Sequence, residues 1–309
     1  MSTFGVSREV RPRRVDELID GRLMAKLDQL DVISRKIFAG KMQGERRSKR
    51  RGISVEFADY RHYTHGDDLR FVDWNIYARL DKLFLKIFLE EEDLSLVIAV
   101  DTSASMDWGS PSKMLFAQRL AMALGYIGLV NHNRVTLATF ADGEISRLPN
   151  LRGRRRINEM GNWLLNIEPG GPSGFDTAMR TLALTRQGKG VMILISDFMF
   201  KEGYEKGLRY LAGGGYDTFI MQTLSPQEVD PGKHGLTGDV RLVDIEDEDA
   251  AEVTVSAALL KRYKQNLDAY CGALREYCVK RGMMHITIDT ATELDNLLMD
   301  YLRKRGLLK

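Results

Sequence analysis

The sequence predicts an α/β protein with a doubly wound, mostly parallel sheet, preceded by an N-terminal helix and a small β-rich attachment. Two observations lead to this fold class. From Leu94 onward, apolar runs of strand length alternate with segments of helical spacing, as in parallel sheets covered by helices. The first run, 94–100, is apolar or small throughout, which is typical of a strand buried on both faces of a sheet.

The composition is that of a globular protein and argues against several classes. Of the 309 residues, 44% are hydrophobic and 28% are charged, and the net charge of +2 gives no general attraction to nucleic acid or to an anionic membrane. No apolar stretch reaches the roughly 20 residues that span a bilayer, and no secretory signal sequence is recognisable. Because Cys271 and Cys278 make no disulfide framework, we expect a cytoplasmic protein without a membrane span.

The N-terminal part is divided into a tail and an attachment. Residues 1–14 are polar and basic without periodicity and are predicted to form a flexible tail. Residues 15–92 are assigned to an N-terminal helix and the β-rich attachment, and residues 93–309 to the main domain. The helix is predicted over Val15–Phe38, because its leucines and isoleucines recur at steps of three and four residues and form one apolar stripe.

The attachment interleaves aromatic residues with charges of both signs and follows a basic cluster at residues 46–51. Short strands are predicted around residues 55–57 and over 83–89, where apolar side chains alternate, and residues 66–68 have the composition of a turn. Charges of mixed sign among aromatic residues favour an intramolecular network of ion pairs over a partner surface.

The elements of the main domain follow in an order that suits a doubly wound sheet. Helices are predicted over 113–130, 154–166, 176–187, 204–212, 256–281 and 291–305. Strands after the first are predicted over 135–140, 144–148, 191–195, 216–223 and 285–288, with 144–148 antiparallel to its neighbour, and a hairpin is predicted within 238–255. The helix at 113–130 is apolar almost all round, which predicts burial near the middle of the sheet.

Polar side chains follow two of the buried strands. Asp101, Ser103 and Ser105 come directly after the first strand, and Asp197 follows the strand at 191–195. Because ligands of open α/β sheets bind at the carboxyl ends of the strands, these side chains are expected at one edge of the sheet. Carboxylate and hydroxyl oxygens are ligands that hard cations accept, so the sequence predicts a metal site there.

The string D-T-S-A-S-M at residues 101–106 resembles the metal-ion-dependent adhesion site of von Willebrand factor A domains. In that family, Asp-x-Ser-x-Ser is joined by a threonine from a glycine-rich loop and by an aspartate after a later strand. The matching positions are Ser173 in GGPSGFDTAM, which keeps the hydroxyl without the methyl group, and Asp197 in LISDF. The resemblance implies Mg²⁺, with Ca²⁺ or Mn²⁺ as alternatives. The implied ligand set is Asp101, Ser103, Ser105, Ser173 and Asp197. Ser103 and Ser105 would contact the ion, Ser173 would contact it directly or through water, and the aspartates would mostly orient hydroxyls and waters.

The segment before the main domain resembles the domain of unknown function 58 family. The family pattern is Glu-Phe-x-Asp-Tyr-Arg-x-Tyr, Gly-Asp-Asp-x-Arg, Asp-Trp and Ala-Arg, and it is met here by Glu56, Phe57, Asp59, Tyr60, Arg61, Tyr63, Gly66, Asp67, Asp68, Arg70, Asp73, Trp74, Ala78 and Arg79. Members are commonly encoded beside MoxR-type AAA+ ATPases. The resemblance implies a non-enzymatic adaptor or co-chaperone that couples such an ATPase to a client protein, and we expect the client to offer an Asp or Glu to the metal.

Three alternatives stand beside this interpretation. Asp101, Ser103 and Ser105 are also residue types that cap helices and turns, here the helix at 113–130 and the turn before it. A strand that ends in aspartate also begins the haloacid dehalogenase-type phosphatases, although these require a second acid where this chain has Ser103. Finally, the basic clusters at 46–51 and 152–156 are residues that grip phosphates in nucleic acids, but without overall basicity they are more often solvated charges.

Overall fold

The computed structural model describes residues 11–33, 57–88, 94–185, 190–212, 216–245 and 250–309. Its contacts divide the chain into two units, a larger one within 1–37 and 94–309 and a smaller one within 38–93. The predicted tail is described only over residues 11–14, and the basic cluster at 46–51 lies outside the described residues.

The smaller unit is built on two antiparallel strands, β1 (Phe57–His62) and β2 (Phe84–Phe88). A helix over Trp74–Leu80 lies between them in the chain and was not predicted, because its aromatic and charged residues hide the helical period. Asp73 caps this helix by accepting from two backbone N–H groups, and its carboxylate also pairs with Lys86 at 3.1 Å. Further ion pairs join Arg61 to Asp67 and Arg70 to Asp68, so these charges pair inside the unit.

A six-stranded sheet forms the centre of the larger unit. Its strands are β3 (Ser95–Asp101), β4 (Arg134–Ala141), β5 (Glu144–Leu151), β6 (Gly190–Ser196), β7 (Tyr216–Leu224) and, after the hairpin of β8 (Gly238–Val243) and β9 (Ala250–Val255), β10 (Met284–Asp289). The spatial order is β10-β7-β6-β3-β4-β5, with every neighbouring pair parallel except β4 and β5. This is the strand order of doubly wound folds with an antiparallel edge strand, so the predicted fold class is confirmed.

Helices cover both faces of this sheet, and each face has its own apolar core. One face packs against Lys113–Val130, Ile157–Leu165 and the closing segment after Leu294. The other packs against Phe175–Thr185, Glu205–Leu211 and Ala257–Lys280. Within the described residues, these bounds agree with the predicted helices to within a few residues. The closing helix is the exception, because Leu297–Leu302 widens into a π-helix.

The helix Lys113–Val130 alone among the described residues is long and apolar enough to cross a membrane by length and composition. In the fold, however, 83% of it is buried inside the protein. Its glycines allow close packing, since a Cβ at Gly128 would lie 2.7 Å from the Val135 side chain of β4. The apolar surface of this helix is therefore used by the core.

The predicted N-terminal helix over Val15–Phe38 and its place in the attachment are both wrong. Helical structure is limited to Val15–Leu18 and Gly21–Leu27, because Ile19 is extended and Asp20 caps the second helix by accepting from the Leu23 N–H at 2.7 Å. Residues 34–38 lie outside the described residues. Leu23, Leu27 and Leu30 of the apolar stripe are buried, but in the core of the larger unit, where a fully buried side chain such as Leu27 contributes about 2 kcal/mol.

Candidate functional site

The predicted site residues meet at the carboxyl edge of the sheet, between β3 and its neighbours. β3 lies between β4 and β6 in the sheet. The chain passes from β3 to β4 in one direction along the sheet, and from β6 to β7 in the opposite direction. Such a switch point leaves a crevice at the strand ends where α/β proteins bind their ligands. Asp101 ends β3, and Asp197 follows Ser196 at the end of β6.

Asp101 is completely buried, with 0% of its surface exposed. Its Oδ1 accepts from the backbone N–H of Ser103 at 2.9 Å, and its Oδ2 accepts from the hydroxyl of Ser196 at 2.7 Å. Burial, and after it the negative charge of Asp197, raises the pKa of Asp101 to about 7. Both causes act against the charged form of Asp101, so a cation bound beside it would favour the charged carboxylate.

The two serines connect the aspartates. The hydroxyls of Ser103 and Ser105 are 3.2 Å apart, Ser103 also hydrogen-bonds to Asp101, and Ser105 hydrogen-bonds to Asp197. Ser103 is buried, whereas Ser105 is partly exposed. The cluster thus reaches from the end of the core to the protein surface, and its outer members are hydroxyl oxygens.

A buried lysine contacts Asp197 and was not among the predicted site residues. Lys113 is 1% exposed, and its ammonium lies 2.7 Å from Oδ2 of Asp197 and 2.5 Å from Oε1 of Glu228. Burial by itself lowers the pKa of Lys113, but the two carboxylates outweigh burial and the pKa is raised. Burial likewise raises the pKa of Asp197, and Lys113 reverses this, so that the pKa of Asp197 is lowered. Both groups are therefore charged.

Glu228 reaches the lysine from a short helix, Pro226–Val229, that follows β7. Its other carboxylate oxygen accepts from the Ser225 N–H at 2.7 Å and from the Ser225 hydroxyl at 3.0 Å. The Ser-Pro-Gln-Glu string at 225–228 has the spacing of a capping box, so the sequence contained a signal for this turn. The signal for Lys113 was weaker, because the sequence shows it only as a charged residue at the start of an otherwise apolar helix.

Ser173 lies in the glycine-rich loop, which is tied to the turn after β3. The N–H of Ala104 donates to the carbonyl of Gly171 at 2.9 Å, and the N–H of Gly170 donates to the carbonyl of Thr102 at 2.8 Å. Ser173 is 5% exposed, and its buried hydroxyl has no hydrogen-bond partner in the part of the chain that the structure describes. A buried hydroxyl without a partner costs about 1–3 kcal/mol, so this oxygen is an unused ligand position.

The donor set fits a hard cation. Three hydroxyls and two carboxylates supply oxygens only, and one of the hydroxyls has no partner among the described residues. No group of three or more His, Cys, Asp or Glu side chains that would suit a metal occurs in the described ranges, so a cation here would depend on the serines. Ser103, Ser105 and Ser173 would hold the ion, and Asp101 and Asp197 would orient these hydroxyls.

The capping alternative is wrong for the helix Lys113–Val130. Ser112 is the residue before its first turn, and the Ser112 hydroxyl accepts from the Leu115 N–H. Asp101 instead stabilises the turn that contains the two serines. In the other basic cluster, Arg154 pairs with Asp28 at 3.0 Å and Arg156 with Glu159, so two of its charges have carboxylate partners in the protein.

The sequence matches one protein family and is similar to individual known proteins. Residues 59–273 match the family described as "Protein of unknown function DUF58". The "Uncharacterized protein Rv1480" of Mycobacterium tuberculosis (strain ATCC 25618 / H37Rv) and the "Uncharacterized protein Mb1516" of Mycobacterium bovis are both similar to it. Each is 26% identical over 249 residues, covering 79% of this chain and 77% of the relative.

Two solved structures show a more distant similarity. The pilus adhesin SpaC from Lactobacillus rhamnosus GG, in its open conformation, aligns with a TM-score of 0.42 and 11% identity over 71% of this chain and 30% of the adhesin. The SpRpn10 VWA domain aligns with a TM-score of 0.34 and 14% identity over 65% of this chain and 90% of that domain.

Proposed function

The chain belongs to the DUF58 family of proteins of unknown function, and from this membership and the site we propose that it is a non-enzymatic, metal-dependent protein-binding adaptor or co-chaperone. Its partners in this proposal are a MoxR-type AAA+ ATPase and a client protein. The choice of the ATPase rests on the family resemblance. The metal dependence rests on the oxygen cluster at the carboxyl edge of the sheet.

The observation that supports the proposal most strongly is the buried Ser173 hydroxyl without a partner, in a loop that is hydrogen-bonded to the turn of Ser103 and Ser105. Buried polar atoms without a partner are uncommon in folded proteins, and this oxygen is available to a ligand. When Mg²⁺ is bound, it supplies an electrophilic position that a carboxylate from a partner completes.

The chain's own residues prepare this position. Asp101 fixes the Ser103 backbone and holds the Ser196 hydroxyl, so the turn after β3 has one conformation. Lys113 engages Oδ2 of Asp197 and the N–H of Met199 donates to Oδ1, so both oxygens of this carboxylate are already occupied. Asp197 therefore orients Ser105 and does not neutralise a bound cation. This favours a carboxylate of a partner protein as a further ligand.

A groove beside Ser173 supports recognition of a protein segment. It encloses about 340 Å³, and Phe175 and Phe200 contribute rings that stack 4.3 Å apart. Charged side chains of both signs, Asp176, Lys201 and Glu202, form part of its lining. An apolar floor with a few charges at the rim is typical of sites that bind side chains next to an anchoring contact.

A cytoplasmic location is part of the same proposal. Both cysteines are free, and they lie seven residues apart on one helix, with Cys278 buried in the core. Free thiols in a chain of this size suit a reducing compartment.

The proposal is tested by capture of the purified MoxR-type ATPase on the immobilised full chain in Mg²⁺, in EDTA, and after Mg²⁺ is restored. We expect capture that EDTA abolishes and Mg²⁺ restores, and that Ser105→Ala weakens at least about tenfold. Ser146→Ala is the matched control, because Ser146 is exposed on β5. Capture that is indifferent to EDTA would remove the metal from the function, and absence of capture in Mg²⁺ would remove this ATPase as the partner.

A further inference from the structure

A second cavity lies at the opposite edge of the sheet, where β3, β4, β6 and β7 begin. It has a volume of about 310 Å³, which is within the range of small-molecule sites. Since β3 has seven residues, this edge is about 20 Å from Asp101. The cavity is therefore separate from the oxygen cluster described above.

One row of the sheet shapes the floor of this cavity. Tyr216, Gly190, Ser95 and Arg134 are in register on β7, β6, β3 and β4, so they lie on the same face. Gly190 adds no side chain to the row, and a Cβ there would lie 1.9 Å from the carbonyl oxygen of Ser95. The Tyr216 hydroxyl reaches across the glycine and donates to the Ser95 hydroxyl at 2.9 Å.

Arg147 brings an uncompensated positive charge to the cavity. It lies on β5 in register with Ala138, and its Nη2 is buried and has no hydrogen-bond partner within the described ranges. Burial lowers the pKa of Arg147, and no carboxylate of the described residues opposes this effect. A buried guanidinium nitrogen without a partner costs more than a neutral group in the same position. A bound anion would remove this cost.

Further donors on the neighbouring strands face the same space. The Ser95 hydroxyl accepts from Tyr216, so its own O–H is left to donate. The Thr136 hydroxyl accepts from the Asn150 N–H at 3.3 Å, so its O–H is likewise left to donate. None of the described residues that line the cavity is acidic. Asp217, next to Tyr216, is in register with Val191, whose side chain belongs to the core on the other face of the sheet.

We propose that this cavity binds the phosphate group of a small phosphomonoester, with Arg147, Ser95 and Thr136 as its donors. These donors come from three adjacent strands and line one cavity, so a single bound group has three donors beside it. A phosphate has enough oxygens to accept from all three, whereas a carboxylate has two oxygens. A guanidinium is also the side chain best suited to phosphate, and Arg134 adds a second one to the lining.

Calorimetry with the full chain in magnesium-free buffer tests the assignment, using inorganic phosphate, phenyl phosphate and benzoate as probes at constant ionic strength. We expect both phosphates to bind, and phenyl phosphate to bind more tightly than benzoate, which has the same ring. Arg147→Met is expected to weaken phosphate binding at least about tenfold, and Thr136→Val, which keeps the side-chain shape, to weaken it severalfold. Arg155→Met removes the same charge from an exposed position and is expected to leave binding unchanged.

A thermal melt of the same proteins distinguishes a ligand site from a structural arginine. Without phosphate, Arg147→Met is expected to melt at or above the wild-type temperature, because the replaced nitrogen has no partner. Phosphate is expected to raise the melting temperature of the wild type and not that of Arg147→Met. Absence of phosphate binding at about 10 mM, equal binding by Arg147→Met, or tighter binding of benzoate than of phenyl phosphate would each overturn the proposal.

Discussion

The ammonium of Lys113 lies 2.7 Å from Oδ2 of Asp197, and both side chains are 2% exposed. The lysine starts the central helix of one face, and the aspartate follows β6, so this pair joins two elements 84 residues apart in the chain. Glu228 shares the same ammonium. The carboxyl edge of the sheet thus carries its own permanent cation next to the candidate metal site.

Replacement of Lys113 is expected to be strongly destabilising. Lys113→Met leaves Asp197 and Glu228 near each other without a counterion, and the loss of one member of a buried ion pair costs about 3–5 kcal/mol. Chemical unfolding measures this change. Lys206→Met is the control, because Lys206 pairs with Asp176 while 61% exposed, and its loss is expected to cost less than about 1 kcal/mol. Equal effects of the two substitutions would contradict the account of the buried pair.

Ser173→Ala is expected to separate stability from metal binding. The Ser173 hydroxyl has no partner in the protein, so its removal is expected to leave the free energy of unfolding of the metal-free protein unchanged or slightly higher. Affinity for Mg²⁺ is expected to fall about tenfold, because one ligand oxygen is lost. A destabilised protein with unchanged Mg²⁺ affinity would show that the hydroxyl serves the fold instead.

Two glycines of the same loop are expected to respond differently to alanine. Gly174 has a φ of +57°, and a Cβ there would lie 1.9 Å from the backbone nitrogen of Gly143, so Gly174→Ala must displace the loop. We expect a loss of at least about 1–3 kcal/mol in unfolding free energy, with weaker Mg²⁺ binding. Gly170→Ala meets nothing within 4 Å and is expected to change stability by less than about 1 kcal/mol. If both variants bind Mg²⁺ like the wild type, the loop has no part in the site.

A buried histidine is expected to make the protein sensitive to acid. Burial, and after it the charge of Arg275, lowers the pKa of His285 to about 4, whereas the unfolded chain has the ordinary value near 6.5. As the pH falls, the unfolded state therefore binds a proton before the folded state does. The contribution of His285 to the free energy of unfolding is complete above about pH 6.5 and is lost as the pH falls towards 4, by about 3 kcal/mol at most. Unfolding at several pH values is expected to show a shallower decline for His285→Gln. His234→Gln, at an exposed position, is expected to follow the wild type.

The fold could be predicted because its signals are periodic and local. β3 and β6 are buried along their whole length, and both appear in the sequence as short apolar runs. The prediction for the N-terminal segment was wrong because the structure of this segment depends on a contact that is distant in the chain. The apolar stripe has helical spacing, but the helix ends at Leu27, and Val32 pairs with Leu308 near the other end of the sequence. Spacing alone does not reveal such a tertiary pairing.

The candidate site was predictable only where a strand end marked it. Asp101 and Asp197 each follow an apolar run, so topology places them at one edge. Lys113 and Glu228 reach this edge from a helix start and a capping turn, and their partners lie 84 and 115 residues away in the chain. A charged residue at a helix start is normally solvated, so nothing local distinguishes a buried lysine from an exposed one.

The central claim is that Asp101 and its neighbouring hydroxyls hold a divalent cation, and calorimetric titration with Mg²⁺ tests it most directly. Asp101→Asn removes the charge but keeps an oxygen that accepts from the Ser103 N–H, so the turn is expected to persist, as near-UV circular dichroism would verify. The wild type and the exposed control Asp16→Asn are expected to bind one Mg²⁺, and Asp101→Asn to bind at least about tenfold more weakly. Equal heats for wild type and Asp101→Asn, or no heat for the wild type, would contradict the account.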